Sequence, residues 1–139
     1  MFFKKSDSMK ISVLPEQKKQ ISSEERIRVA CVEPDVLAFD IIHNERLVGF
    51  IMVREYEKGE FFLWNFAIDS SFQNKGIGTK ALLEFIEFMK TSYNMKVLTT
   101  TYIWGNEHAK HVYEKTGFIQ TDVVEEPDCH EVNMIYKCE

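Results

Sequence analysis

The stretch "SSFQNKGIGTKALLEF", residues 70–85, sets two glycines, Gly76 and Gly78, between two runs of opposite character. Ahead of it, Phe61 to Ile68 (FFLWNFAI) is short, apolar and aromatic-rich, which reads as a strand. Behind it, Ile77, Ala81, Leu82, Phe85, Ile86 and Met89 recur at three-and-four spacing, while Lys80, Glu84 and Glu87 fall on the other side. That is the pattern of an amphipathic helix. A glycine loop between a strand and a helix is the setting in which backbone N–H groups at a helix start face outward without partners and attract an anion. Glycines without a β-carbon let a diphosphate approach the main chain closely. Three readings compete. A Walker loop would end in Gly-Lys-Ser/Thr, which "GIGTK" does not supply. "GIGTKA" fits the dinucleotide pattern G-x-G-x-x-A, but that pattern expects an acid about 20 residues on, and "VLTTTY" at 97–102 carries none. The third is a plain strand–helix turn.

Working outward, Val36 to Ile42 (VLAFDII), a turn at "HNER", Leu47 to Val53 (LVGFIMV), a polar turn over 54–60 and Phe61 to Ile68 predict a three-stranded antiparallel meander. Such a meander ahead of the loop does not suit a Rossmann unit. Upstream, Ser22 and Ser23 followed by Glu24 and Glu25 predict a helix from about Ser23 to Val32, with hydroxyl caps and acids at its positive end. Ile27, Ala30 and Cys31 share one side, and Pro34 discourages continuation. Downstream, Val97 to Tyr102 is a strand parallel to 61–68, because a helix intervenes. Asn106 to Lys115 is a short helix stopped at Gly117, and Phe118–Val124 and Val132–Lys137 are two last strands. The predicted order is α-β-β-β-α-β-α-β-β, an α/β fold with a mixed central sheet.

The 139 residues show no repeat, linker or low-complexity tract and predict one domain over 1–139. A net charge of −5 argues against a nucleic-acid partner and suits a cationic small molecule. No apolar run is long enough for a membrane span, and the start "MFFKKSDSMK" has no signal-peptide core. Cys31, Cys129 and Cys138, odd in number and without C-x-x-C spacing, predict reduced thiols in a cytoplasmic protein. His108 and His111 lack a convincing third ligand, so no metal is expected.

Gln73-Asn74-Lys75-Gly76-Ile77-Gly78 matches Q/R-x-x-G-x-G/A, and "FAIDSSFQNKGIGTKALLEFI" resembles the pyrophosphate-loop region of the GNAT N-acetyltransferases. A second block, "NEHAKHVYEKTGF" at 106–118, is similar to that family's N-x-x-A-x-x-x-Y-x-x-x-G-F segment. The resemblance extends from about Val36 to Tyr136, and "LPEQKKQI" and "LVGF" resemble its spermine/spermidine acetyltransferase branch. It implies a mixed sheet with a meander followed by β-α-β-α-β-β. It also implies acetyl transfer from acetyl-CoA, as co-substrate, to a small amine acceptor, polyamines first. The rival acceptors are proteins or peptides, and the rival class is a non-catalytic acyl-CoA-binding module.

By the same resemblance, amides from Gln73, Asn74, Lys75, Gly76, Ile77, Gly78 and Thr79 hold the diphosphate. The backbone of Phe66, Ala67 and Ile68 lies along the pantetheine arm, and the Ile68 amide polarises the acetyl oxygen, a contribution of about 3 kcal/mol. Asn106 contacts the cofactor or caps its helix. Tyr113 is the general acid for the departing thiolate, protonated at neutral pH with an ordinary pKa of about 10. Neutralising an alkylammonium at pH 7 costs roughly 4.6 kcal/mol, and no acid stands at the family's place on the cofactor strand. A water relay to Glu33, Glu55 or Glu60, or uptake of neutral amine, is expected instead; these acids, with Asp35 and Glu57, would also attract a cation. Trp64 and Trp104 are candidates for shaping the acceptor pocket. Only about a dozen residues precede "LPEQ", so the family's first strand is expected to be shortened or missing, leaving a sheet edge that a second chain in a homodimer would cover.

Overall fold

The computed structural model describes residues 1–138. Seven strands, β1 (Phe2–Lys5), β2 (Val36–His43), β3 (Arg46–Glu57), β4 (Glu60–Ile68), β5 (Val97–Ile103), β6 (Ile119–Glu126) and β7 (Cys129–Lys137), form one sheet in the order β1-β2-β3-β4-β5-β7-β6. Three helices, α1 (Glu24–Ala30), α2 (Ile77–Tyr93) and α3 (Glu107–Thr116), complete the fold. All pairings are antiparallel except β4–β5, which is parallel, as the helical crossover requires.

Of the two outcomes expected for the first strand, shortened or missing, the structure has the shortened one. Phe2–Lys5 pairs with Phe39–Ile42 and takes the edge position. Four residues give no period to read. What holds the strand is Phe3, whose ring meets Phe85 at 5.4 Å and Phe88 at 5.2 Å. The polar turn expected over 54–60 also contracts. Strand β3 runs to Glu57, and the reversal is made by Lys58 and Gly59, the latter at φ 79° with its N–H donating to Glu55 Oε2 at 3.0 Å. The β2–β3 turn places Asn44 and Glu45 in the left-handed region, as a tight twisted hairpin demands.

Each face of the sheet has its own core. On one side Leu82, Phe85, Ile86 and Met89 of α2 pack on Phe39, Ile41, Ile51, Val53, Phe61, Leu63 and Leu98. The helical stripe in the sequence is therefore the buried face, with Ile77 partly buried at its start. On the other side Ile27 and Ala30 of α1 pack with Ile11 on Val36, Ala38, Phe50 and Met52. Ser23 caps α1, its hydroxyl accepting from Arg26 N–H at 3.2 Å.

Two features position the site. The register between β3 and β4 slips at Trp64: Met52 pairs with Asn65, and Val53 with Leu63. The extra residue turns Trp64 and Asn65 to the same side, where Trp64 joins the α1-side core and Asn65 bonds Ser22. Such a bulge bends its strand. Directly there, the parallel ladder between β4 and β5 ends; its four rungs run from Glu60–Val97 to Leu63–Thr100, and beyond them the strands part.

Candidate active site

The parted strands enclose a cavity of about 420 Å³. One wall is Trp64, Phe66, Ala67 and Ile68 of β4, continued by Gln73 and Gly78; the other is Thr100–Tyr102 of β5 with Gly105, Asn106 and the first turns of α3. Residues 16, 17, 20 and 21 complete it.

At one end stands the N-terminus of α2. Its cap residue, Gly76, sits at φ 74° and offers no side-chain acceptor. The first N–H groups of a helix have no intrahelical partner, so they are free to meet an anion. A β-carbon built on Gly76 would meet nothing within 4 Å, and one on Gly78 would meet only Ile68 Cγ1 at 3.7 Å. The protein itself has room for side chains here; what their absence leaves is an open cradle in front of the helix. Asn74 at φ 63° turns the preceding loop, and Lys75 Nζ lies 6.0 Å from the Phe72 ring centroid.

At the other end is Tyr113, 9% exposed, its ring 5.3 Å from Phe118 and 6.3 Å from Tyr102. Burial pushes its phenol above the usual tyrosine range, against a smaller downward pull from the neighbouring Thr100 hydroxyl. Thr100 in turn donates to the Leu63 carbonyl at 3.3 Å, on the last rung of the ladder. The phenol therefore remains a proton donor through the whole neutral range.

Of the residues singled out in the sequence, Phe66, Ala67, Ile68, Gln73, Gly78, Asn106 and Tyr113 come together around this cavity. Asn74, Lys75, Gly76, Ile77 and Thr79 lie outside its lining, around the start of α2, with Ile77 turned toward the main core. Asn106 caps α3, its Oδ1 accepting from Ala109 N–H at 3.1 Å. The relay acids expected from sequence are elsewhere. Glu33, Glu55 and Glu60 do not line the cavity; Glu55 is committed to the Gly59 turn, and Glu60 opens β4 at the end remote from the bulge. Asp35 is held below the ordinary carboxylate range, first by its hydrogen bond from Arg54, at 2.7 Å. Trp64 lines the cavity, whereas Trp104 stacks on His130 at 4.6 Å outside it.

Among the described residues, the cavity's carboxylates are instead Glu16 and Glu107, with His108 beside them, and no lysine or arginine lines it. Spacing arguments do not reach Glu16, because an exposed segment without periodicity brings it there. Glu107 is adjacent to Asn106 in the recognised block, and that adjacency is the one available signal. Asn65, 3% exposed, accepts from Ser22 N–H at 2.9 Å and donates to Ser22 Oγ at 3.3 Å, fastening the entry of α1 to the bulge. Asp69 fastens the other flank. Its carboxylate accepts from Ser12 N–H at 3.0 Å and Ser71 N–H at 2.9 Å, and these two bonds hold its pKa below the ordinary value.

Residues 8–118 match the Acetyltransferase (GNAT) family. The chain belongs to the GNAT acetyltransferases. Within the family it is similar to the spermine/spermidine N(1)-acetyltransferase of Bacillus subtilis (strain 168), with 34% identity over 79 residues, 52% of this chain and 52% of that protein. The chain thus spans about half the length of the curated relatives it matches. Among solved structures, a variant of the spermidine N-acetyltransferase SpeG from Vibrio cholerae superposes with a TM-score of 0.70 at 17% identity, covering 82% of this chain and 72% of that one. The aminoglycoside acetyltransferase AAC(6')-Ib in complex with coenzyme A gives 0.68 at 20%, covering 83% and 76%. These two likenesses are of fold. No helix among the described residues is long and apolar enough to cross a membrane.

Proposed function

We propose that this GNAT chain is an N-acetyltransferase, one domain over residues 1–139, that moves the acetyl group of acetyl-CoA to a primary amine of a small cationic acceptor, polyamines being the first class to try. The observation that carries the reading is the cavity itself: one opening that runs from the uncapped start of α2 to the buried phenol of Tyr113. The family membership and the coenzyme A complex of a fold neighbour support it.

In this reading the amides from Gln73 to Thr79 receive the diphosphate of the co-substrate, with Gly76 and Gly78 keeping the approach clear. Beyond the bulge, the N–H and C=O groups of Phe66–Ile68 that face β5 have no strand partner there; apart from the Ile68 carbonyl, which accepts from Gln73 Nε2, they are available to a strand-like arm. Asn106 contacts the same arm while capping α3. The Ile68 amide, aimed at the carbonyl, stabilises developing negative charge. The acceptor gives one ammonium proton to solvent before attack. As the C–N bond forms and the C–S bond breaks, Tyr113 donates a proton to the leaving thiolate and is reprotonated, through solvent, by the proton that the new amide nitrogen sheds. The acceptor's ammonium is drawn by Glu16 and Glu107, and the absence of lining lysines and arginines leaves that attraction unopposed within the cavity. The roof formed by residues 16–21 narrows the opening and favours a small acceptor over an extended peptide.

The test follows thiol release from acetyl-CoA across a panel of polyamines, other amines and peptides. Release with spermidine and not with peptides supports the proposal. Release with peptides alone overturns the acceptor class. Thermal protection by acetyl-CoA with no release for any acceptor overturns the enzymatic reading in favour of a binding module.

A further inference from the structure

The 3-10 segment Pro15–Gln20 buries none of its residues, yet it forms part of the cavity's enclosure. Two side-chain amides hold it there. Gln17 and Gln73 exchange reciprocal bonds: Gln17 Nε2 donates to Gln73 Oε1 at 3.1 Å, and Gln73 Nε2 donates to Gln17 Oε1 at 2.7 Å. Gln73 Nε2 also donates to the Ile68 carbonyl at 3.0 Å, so this bridge lands on the β4 wall and the loop before α2. Three residues on, Gln20 Oε1 accepts from Asn106 Nδ2, at the cap of α3 on the opposite wall. In a 3-10 turn residues three apart lie on one side, which is why Gln17, partly buried, and Gln20, exposed, both border the cavity while the exposed Lys18 and Lys19 do not.

We infer that Pro15–Gln20 is a strap latched across the cavity by the Gln17–Gln73 and Gln20–Asn106 bridges, and that Gln17 and Gln20 are positioning residues that join closure over the co-substrate to completion of the amine site. The latch stands on the hydrogen bonds alone; its coupling to the amine rests on the acetyltransferase reading above. All four latching groups are neutral amides at a wet rim, so each bond is worth little net and the strap opens at small cost. An arm lying between β4 and β5 passes under this roof and needs it lifted on entry. Glu16 adjoins Gln17 and travels with the strap, so its carboxylate stands over the cavity only in the latched state.

The experiment is limited trypsin cleavage of the full chain at Lys18 and Lys19, followed by mass spectrometry, alongside steady-state kinetics with spermidine. Gln17→Ala and Gln20→Ala are each expected to be cut about fivefold faster than the parent, the factor one net hydrogen bond supplies. Gln20→Glu retains the acceptor that Asn106 needs and is expected to be cut at the parental rate. Saturating acetyl-CoA slows cleavage of the parent. Gln20→Ala raises KM for the amine about fivefold with kcat within about twofold, and Gln20→Glu restores KM. Parental cleavage rates in both alanine variants overturn the latch. Faster cleavage with an unchanged amine KM overturns the coupling. If calorimetry shows no acetyl-CoA binding to the parent, the acetyltransferase reading falls, while faster cleavage of the alanine variants still upholds the latch.

Discussion

Tyr113→Phe removes the hydroxyl that lines the cavity and keeps the ring that packs on Phe118. Turnover is expected to fall by about 100-fold with acetyl-CoA affinity nearly intact, the scale of a lost general acid. Wild-type turnover in a folded Tyr113→Phe protein, measured by thiol release, removes the assignment. Because burial raises the phenol's pKa, kcat of the parent is expected to show no fall attributable to this group below about pH 10. A basic limb that sets in lower and survives in Tyr113→Phe belongs to another group. Gly78→Val tests the opposite end of the cavity. The β-carbon has room against Ile68, so the variant should fold, but its branches fill the cradle and weaken acetyl-CoA by about tenfold, the order of a steric misfit of 1–3 kcal/mol. Unchanged affinity by calorimetry refutes the cradle. Residues such as Tyr113 and Gly78 were legible as cavity residues because they sit in the two blocks that resemble the family's segments. Glu16 and Gln17 were not, since a segment with no buried residue writes no periodic signal into the sequence.

At the scale of elements, α2 was the most legible, because an apolar stripe of that length has few other places to go than a sheet face. Strand β4 was legible as a strand, but its bulge was not. Alternation identifies which residues face the core only while the register is regular, and at Trp64 two successive side chains turn the same way. The consequence for Asn65 is specific. Inferred from alternation alone it is a polar residue inside an apolar run; in the fold its amide satisfies both the N–H and the hydroxyl of Ser22. Asn65→Ala is expected to destabilise the protein by about 1–3 kcal/mol, the cost of stranding a partly buried donor, read as a lower denaturant midpoint with unchanged slope. A midpoint equal to the parent's shows that solvent replaces the amide and that the α1 entry is not fastened there.

At the scale of the molecule, Asp69 ties residue 12 to the loop leading into α2, 57 positions on. Its pKa is lowered in the fold by the Ser12 and Ser71 amides, so the unfolded chain binds this proton at higher pH than the folded one does. The stabilisation is complete above the ordinary carboxylate range, near about pH 4, and is lost as pH falls through the lower folded value. Asp69→Asn should therefore lower stability at neutral pH and flatten its decline in acid, as followed by thermal melting; parallel acid profiles for the two proteins reject this role. The wider architecture has a different weak line. Strands β1 to β4 follow one another in the sheet with antiparallel pairings, as do β5, β7 and β6, and the backbone ladder between the two groups has four parallel rungs, under a core that α2 lays across both. The sheet parts like the pages of a book beyond that short spine, and the proposed chemistry lies in the gutter. Hydrogen exchange should then find Trp64 to Ile68 opening well before Phe50 to Val53 one strand away, so that destabilising changes far from the cavity erode turnover before they unfold the protein.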